Sequence, residues 1–156
     1  MKIEQIRLKA SDAQNIKFIK AYDRMRNLII ELNNREIPSS VITEINTEIK
    51  VINTFSGTDG KKIKLIKKGY ARVLKLIEDE QQLVAKNHYR NYWMTMGIAF
   101  GVPLGTVFSS STGNYGLIGV GIPIGMAIGV AYGTKLDKKA EKEGRQLNLL
   151  ADSEAF

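Results

Sequence analysis

The side chains able to do chemistry are few and badly placed for it. The 156-residue chain has one histidine, His88, and no cysteine. Thiolate nucleophiles, thiolate metal sites and disulfides are therefore excluded. A metal site would have to be almost all carboxylate, and the acidic residues show no such cluster. No nucleophile is paired with a base. Gly57-Thr58-Asp59-Gly60-Lys61-Lys62 has a faint likeness to a phosphate-binding loop. Phe55, however, stands where the earlier glycine is required, and Lys62 where a Ser or Thr must follow the lysine. His88 borders an apolar stretch and reads as an interfacial spectator rather than a pH sensor. Neither an enzymatic activity nor a cofactor is expected.

The chemistry that remains is that of packing and of charge distribution. The net charge is +7, yet Asn91 to Thr134 holds no Asp, Glu, Lys or Arg at all. A run of this length suits a segment whose solvent is hydrocarbon. It divides into two spans of about 20 residues, Tyr92 to Ser111 and Tyr115 to Thr134, joined at Thr112-Gly113-Asn114. At about 1.5 Å per residue each is long enough to cross a bilayer core of about 30 Å. Arg72, Lys75, Lys86 and Arg90 precede the run, and Lys135, Lys138, Lys139, Lys142 and Arg145 follow it, while the connection carries no charge. The positive-inside rule then predicts that both ends of the hairpin, and both termini, face the cytoplasm. Tyr89, Arg90, Tyr92 and Trp93 around the start of the run, and Tyr132, Lys135, Lys138 and Lys139 around its end, are expected at that membrane interface.

Within the run the glycines are ordered. Gly97, Gly101 and Gly105 recur every fourth residue, with Ser109 continuing the row, and Gly121, Gly125, Gly129 and Gly133 do the same in the second span. Residues four apart share one helix face, so each span should present a groove without side chains that allows close helix approach. The glycines could pack one span on the other within the hairpin, or pack hairpins of different copies together. The second arrangement is the expectation, making a homo-oligomer. Gly101-Val102-Pro103-Leu104-Gly105 is repeated as Gly121-Ile122-Pro123-Ile124-Gly125. Pro103 and Pro123 should each kink their helix, leaving the carbonyls of Ala99 and Gly119 short of a donor. These stripes, the paired proline units and the basic tail Lys135-Leu136-Asp137-Lys138-Lys139-Ala140 resemble the glycine-zipper membrane hairpins of small bacterial proteins. The resemblance covers about the last 70 residues. It implies membrane insertion and close helix packing, often in oligomers, without fixing an activity.

Residues 1–90 carry helical periodicity. Met1 to Ala10 reads as either a short strand or a helix fringe. Ser11 and Gln14 have capping-box spacing, so a helix is predicted from near Asp12, with Phe18, Tyr22, Met25, Ile29 and Leu32 as its apolar stripe. Ile37-Pro38-Ser39-Ser40 is a break followed by a cap signal. A second helix is predicted over Val41 to Thr54 on Ile42, Ile45, Ile49 and Ile52. A third begins near Lys61 on Ile63, Ile66, Tyr70, Val73, Ile77 and Val84. Nothing in 85–91 ends it, so it can run on into the first span. Such narrow stripes need partners, as a bundle or a coiled coil. Lys61, Lys62, Lys64, Lys67, Lys68, Arg72 and Lys75 form a basic run that reads as a solvated face, with anionic lipid heads the next candidate and nucleic acid unlikely with only Tyr70 interleaved.

The expected fold class is all-α: a cytoplasmic helical domain over 1–90, a transmembrane hairpin over 91–134 and a basic cytoplasmic tail over 135–156. The expected function is that of a non-enzymatic protein of the cytoplasmic membrane. Its partners would be the lipid bilayer, further copies of itself and an unidentified cytoplasmic protein. The alternatives are an oligomeric pore former, holin-like or a defence effector, and a soluble basic nucleic-acid binder.

Overall fold

The computed structural model describes residues 2–7 and 15–150. Among these residues the chain is mostly helical, with five α-helices and two short strands. It forms two compact units, Met1–Leu83 and Val84–Phe156.

The first unit contains α1 (Ile16–Asn33), α2 (Ser39–Thr54) and α3 (Asp59–Gln81). Asn15 caps α1, its side chain accepting from the amides of Lys17 at 3.1 Å and Phe18 at 3.3 Å. The expected start near Asp12, with Ser11 and Gln14, lies outside the described residues. Helix α2 begins at Ser39 directly after Pro38, without a side-chain cap. Proline's fixed φ presets that entry, so the cap expected there is not needed. Phe18, Met25 and Leu28 of α1, Ile45, Ile49 and Ile52 of α2, and Ile66, Val73 and Ile77 of α3 are fully buried. Burying each side chain of this size stabilises by about 1.5–3 kcal/mol relative to leaving it in water. Helix α3 packs along both α1 and α2, which touch each other much less.

One basic residue leaves the expected basic face, and a second stays exposed but is paired. Lys62 is only 6% exposed, with its ammonium 4.9 Å from the centre of the Phe18 ring. Its aliphatic stem takes the place that periodicity assigns to Ile63, which is half-buried. Arg72 pairs with Glu48 of α2 at 3.1 Å. Lys61, Lys64, Lys67, Lys68 and Lys75 are exposed.

Helix α3 does not run on. Gln82 takes a left-handed backbone (φ 54°) and so does Asn87 (φ 63°), and between them Val84–Lys86 forms strand β1. Two left-handed residues in six end any helix, and β1 then finds its hydrogen bonds far along the chain. The second unit is β1, α4 (His88–Thr112), a 3-10 turn at Tyr115–Leu117, α5 (Ile118–Lys142) and β2 (Gln146–Leu150). The strands pair in parallel, with Val84 opposite Gln146 and Ala85 opposite Leu147. The turn after α5 is made by Gly144 at φ 69°, a conformation that favours glycine. The expected basic tail is therefore partly strand, paired to the residues that precede the hairpin.

Candidate functional site: the glycine-faced hairpin

The two glycine rows meet each other within one chain. A methyl group on Gly97 or Gly125 would overlap the carbonyl oxygen of the other. One on Gly101 would lie 2.5 Å from the carbonyl oxygen of Gly121. Gly105 abuts Ile118, Gly129 abuts Trp93, and Gly133 abuts the backbone of Tyr89 and Arg90. In each case the obstacle is backbone, which cannot swing aside. Of the two arrangements open in the sequence, packing within the hairpin is the one these seven glycines adopt. Gly116 and Gly119, off these rows, are exposed. Ser109 occupies the next position of the first row, only 2% exposed, and its hydroxyl has no hydrogen-bond partner. A serine fits there because it is small.

The turn that reverses the chain is built for tightness. Gly113 adopts φ 68° at the end of α4, and the Asn114 side chain accepts from the amide of Gly116 at 3.0 Å to start the 3-10 turn. Pro103 and Pro123 both lie inside their helices, and neither ends one. Among the hydroxyls of α4, those of Thr95, Ser110, Ser111 and Thr112 donate to carbonyls four residues back, and that of Thr106 donates to Pro103. Such side chains need nothing from the surroundings.

At the opposite end the helices are locked. Asp137 of α5 is only 5% exposed, and its carboxylate accepts from the amides of Tyr89 at 3.1 Å and Arg90 at 2.9 Å. These are orphan N–H groups of the first turn of α4, so a residue 47 positions away caps that helix and meets the positive end of its dipole. The rings of Trp93 and Tyr132 stand edge to face, 4.6 Å between centres, and Tyr92 meets Trp93 at 5.9 Å. Bonds to Glu143 first, and to Tyr89 second, raise the Arg145 guanidinium above its ordinary value, so it stays charged at any physiological pH. Ala140 and Leu147 are fully buried in the same corner. Sequence reading placed Asp137 only as one residue of a basic tail. Its one visible signal is that it is the sole acidic residue from Asn91 to Ala140.

Around the rest of the hairpin the apolar side chains face outward. From Gly101 to Ser110 only every fourth residue is buried. Phe108 is 58% exposed and Ile128 62%. Trp93, Met96, Phe100, Leu104, Ile128 and Tyr132 line an apolar groove of about 290 Å³ between the helices. Lys135, Lys138, Lys139 and Lys142 line a cationic cleft of about 530 Å³ at the locked end. The predicted interface residues thus gather at one end of the hairpin. Among the described residues one helix, not two, is long and apolar enough to cross a membrane, the stretch Tyr115–Lys142. Helix α4 is as free of charge beyond Arg90 but is diluted by its Ser and Thr residues.

No group of His, Asp and Glu residues that could hold a metal ion is found among the described residues. Compared with known proteins, the chain matches no family model, no curated protein and no solved structure.

Proposed function

We propose that this chain is an integral membrane protein whose hairpin crosses the bilayer twice. Residues flanking the hairpin lie on the cytoplasmic side, and residues 1–83 serve there as a binding domain. One observation carries the reading. Along the hairpin the buried positions are small residues four apart, and the apolar residues between them face outward. In water a surface of this kind is an aggregation liability. In lipid it is the ordinary arrangement, because hydrocarbon solvates the outward side chains and close backbone contact holds the helices together. Only 22% of the most apolar window of α5 is buried within the protein, which favours a membrane span over the core helix of a soluble domain.

Other features agree with it. Each helix is 25 residues long, or about 37 Å at 1.5 Å per residue, against about 30 Å of hydrocarbon. Aromatic rings and lysines lie together at one end, as at a cytoplasmic interface. The cationic cleft suits phosphate-bearing lipid heads. Because the glycine rows are used within the hairpin, copies that associate in the membrane would meet through other faces, such as that of Gly116 and Gly119.

Alkaline carbonate washing of membranes from expressing cells tests the reading. The protein is expected to stay in the pellet, and release into the wash would overturn it. A cysteine at Asn114, in a chain that has no other, should label with an impermeant maleimide from outside intact cells. Labelling only after lysis would reverse the orientation.

A further inference from the structure

The apolar groove and the cationic cleft of the hairpin form one continuous surface. Ile128, Tyr132, Lys135, Lys139 and Lys142 are separated by four, three, four and three residues, so they make a single stripe along α5. Ile128 and Tyr132 line the groove, and the three lysines line the cleft with Lys138 beside them. The groove owes its depth to the glycine rows. Gly97, Gly125 and Gly129 leave its floor bare, while Trp93, Met96, Phe100 and Leu104 of α4 stand along one wall.

Dimensions and charge together describe one kind of occupant. Trp93 and Leu104 are 11 residues apart, about 16 Å of helix at 1.5 Å per residue, close to half of a hydrocarbon core of about 30 Å. The groove therefore has the depth of one leaflet. The Trp93 and Tyr132 rings meet at its mouth, the level that such rings take at a membrane interface. The cleft begins just past that level, with Lys135 about 4.5 Å and Lys142 about 15 Å beyond Tyr132 along the helix. Among the described residues no acidic side chain lines it. Asp137 of the same helix is buried against the α4 amides. Of the four lysines only Lys139 has an ion-pair partner among the described residues, Glu143 at 3.8 Å on the rim. A phosphate set among these ammonium groups gains from several of them, whereas the cationic end of a choline headgroup is repelled.

We propose that groove and cleft together are a binding site for one anionic phospholipid of the cytoplasmic leaflet, with its phosphate among the lysines and one acyl chain along the groove. The inference rests on the membrane reading and adds to it a fixed place and a headgroup preference. A free phosphate would leave the groove empty, and a zwitterionic lipid would gain little from the lysines.

Trp93 lines the groove and is the only tryptophan, so its emission reports the occupant. The full chain is reconstituted into phosphatidylcholine vesicles at physiological salt. Phosphatidylglycerol or further phosphatidylcholine, brominated in the acyl chains, is then added to quench a neighbouring indole. Brominated phosphatidylglycerol is expected to reach the same quenching at about fivefold lower mole fraction. Combining Lys135→Gln, Lys138→Gln, Lys139→Gln and Lys142→Gln, all exposed positions, should erase that preference and leave quenching by brominated phosphatidylcholine unchanged. Removing the same number of charges from the first unit, by Lys61→Gln, Lys64→Gln, Lys68→Gln and Lys75→Gln, should leave the preference as it was. Equal quenching by the two lipids, or a preference that survives loss of the cleft lysines, overturns the inference. A preference lowered alike by both sets of changes also overturns it, as diffuse attraction of anionic lipid. In all three cases the protein floats with the vesicles and the membrane reading stands. Protein that fails to float with them would overturn that reading and the lipid site with it.

Discussion

The two units of this protein hold helices together in opposite ways. In residues 1–83 the contact surfaces are large branched side chains, and isoleucine alone supplies Ile45, Ile49 and Ile52 of α2 and Ile66 and Ile77 of α3. In the hairpin the contact surface is bare backbone, with glycine facing glycine and the large apolar side chains turned outward. On the membrane reading proposed above, the difference follows from what solvates each unit. Water rewards the burial of apolar area, so a water-facing unit puts its largest apolar groups inside. Hydrocarbon gives no such reward, so helices in it gain most from close approach and put their smallest residues inside.

The sharpest way to break the comparison is to exchange the two strategies. Gly125→Leu places a side chain against the Gly97 carbonyl and the Gly101 backbone. The hairpin has to open, at a cost of about 4 kcal/mol or more. Trp93 is the only tryptophan and meets Tyr132 edge to face across the hairpin. Its emission should therefore shift, while the first unit unfolds in urea as before. Ile49→Ala is the reciprocal change and should cost about 2–5 kcal/mol in urea denaturation, leaving Trp93 emission untouched. If either substitution moved both readouts together, the two units would not be independent.

Asp137→Ala removes the carboxylate from two buried-end amides and should lower the thermal midpoint of the hairpin by an amount equivalent to about 1–3 kcal/mol. Trp93 emission during heating in detergent measures it. Asp137→Asn, which keeps one acceptor, should cost less. Ser109→Ala is expected to have the smallest effect and the opposite sign. It deletes a buried hydroxyl without a partner, and should stabilise the hairpin by up to about 1 kcal/mol. A loss of stability on that change would show that the hydroxyl is bonded when the protein sits in lipid.

Much of this architecture is written in local spacing. Ile42, Ile45, Ile49 and Ile52 are one buried face of α2, as their period requires. The glycines four apart in each span are buried from Gly101 onward, and the turn falls at Gly113. Such patterns are legible because a helix repeats every 3.6 residues, so neighbours on a face are fixed by sequence alone. Where a side chain breaks the period by being amphipathic, reading fails. Lys62 lies inside because its stem is apolar, although its charge marks it as surface.

What local spacing cannot supply is the identity of the partner across a long loop. A glycine row announces a close contact but not whether the other side is the same chain or another. Only the tertiary structure decided that Gly97 meets Gly125 and Gly101 meets Gly121. The same holds for Asn46 reaching Lys2 and Glu4, for Asp137 capping α4, and for β1 pairing with β2. Each of these joins residues more than 40 positions apart, and nothing in the local spacing names the partner. The sequence by itself determined which faces are apolar, where charge is absent and where the hairpin turns, because those follow from local geometry. The tertiary structure decided which face meets which, because that depends on how distant segments satisfy one another's hydrogen bonds and volume.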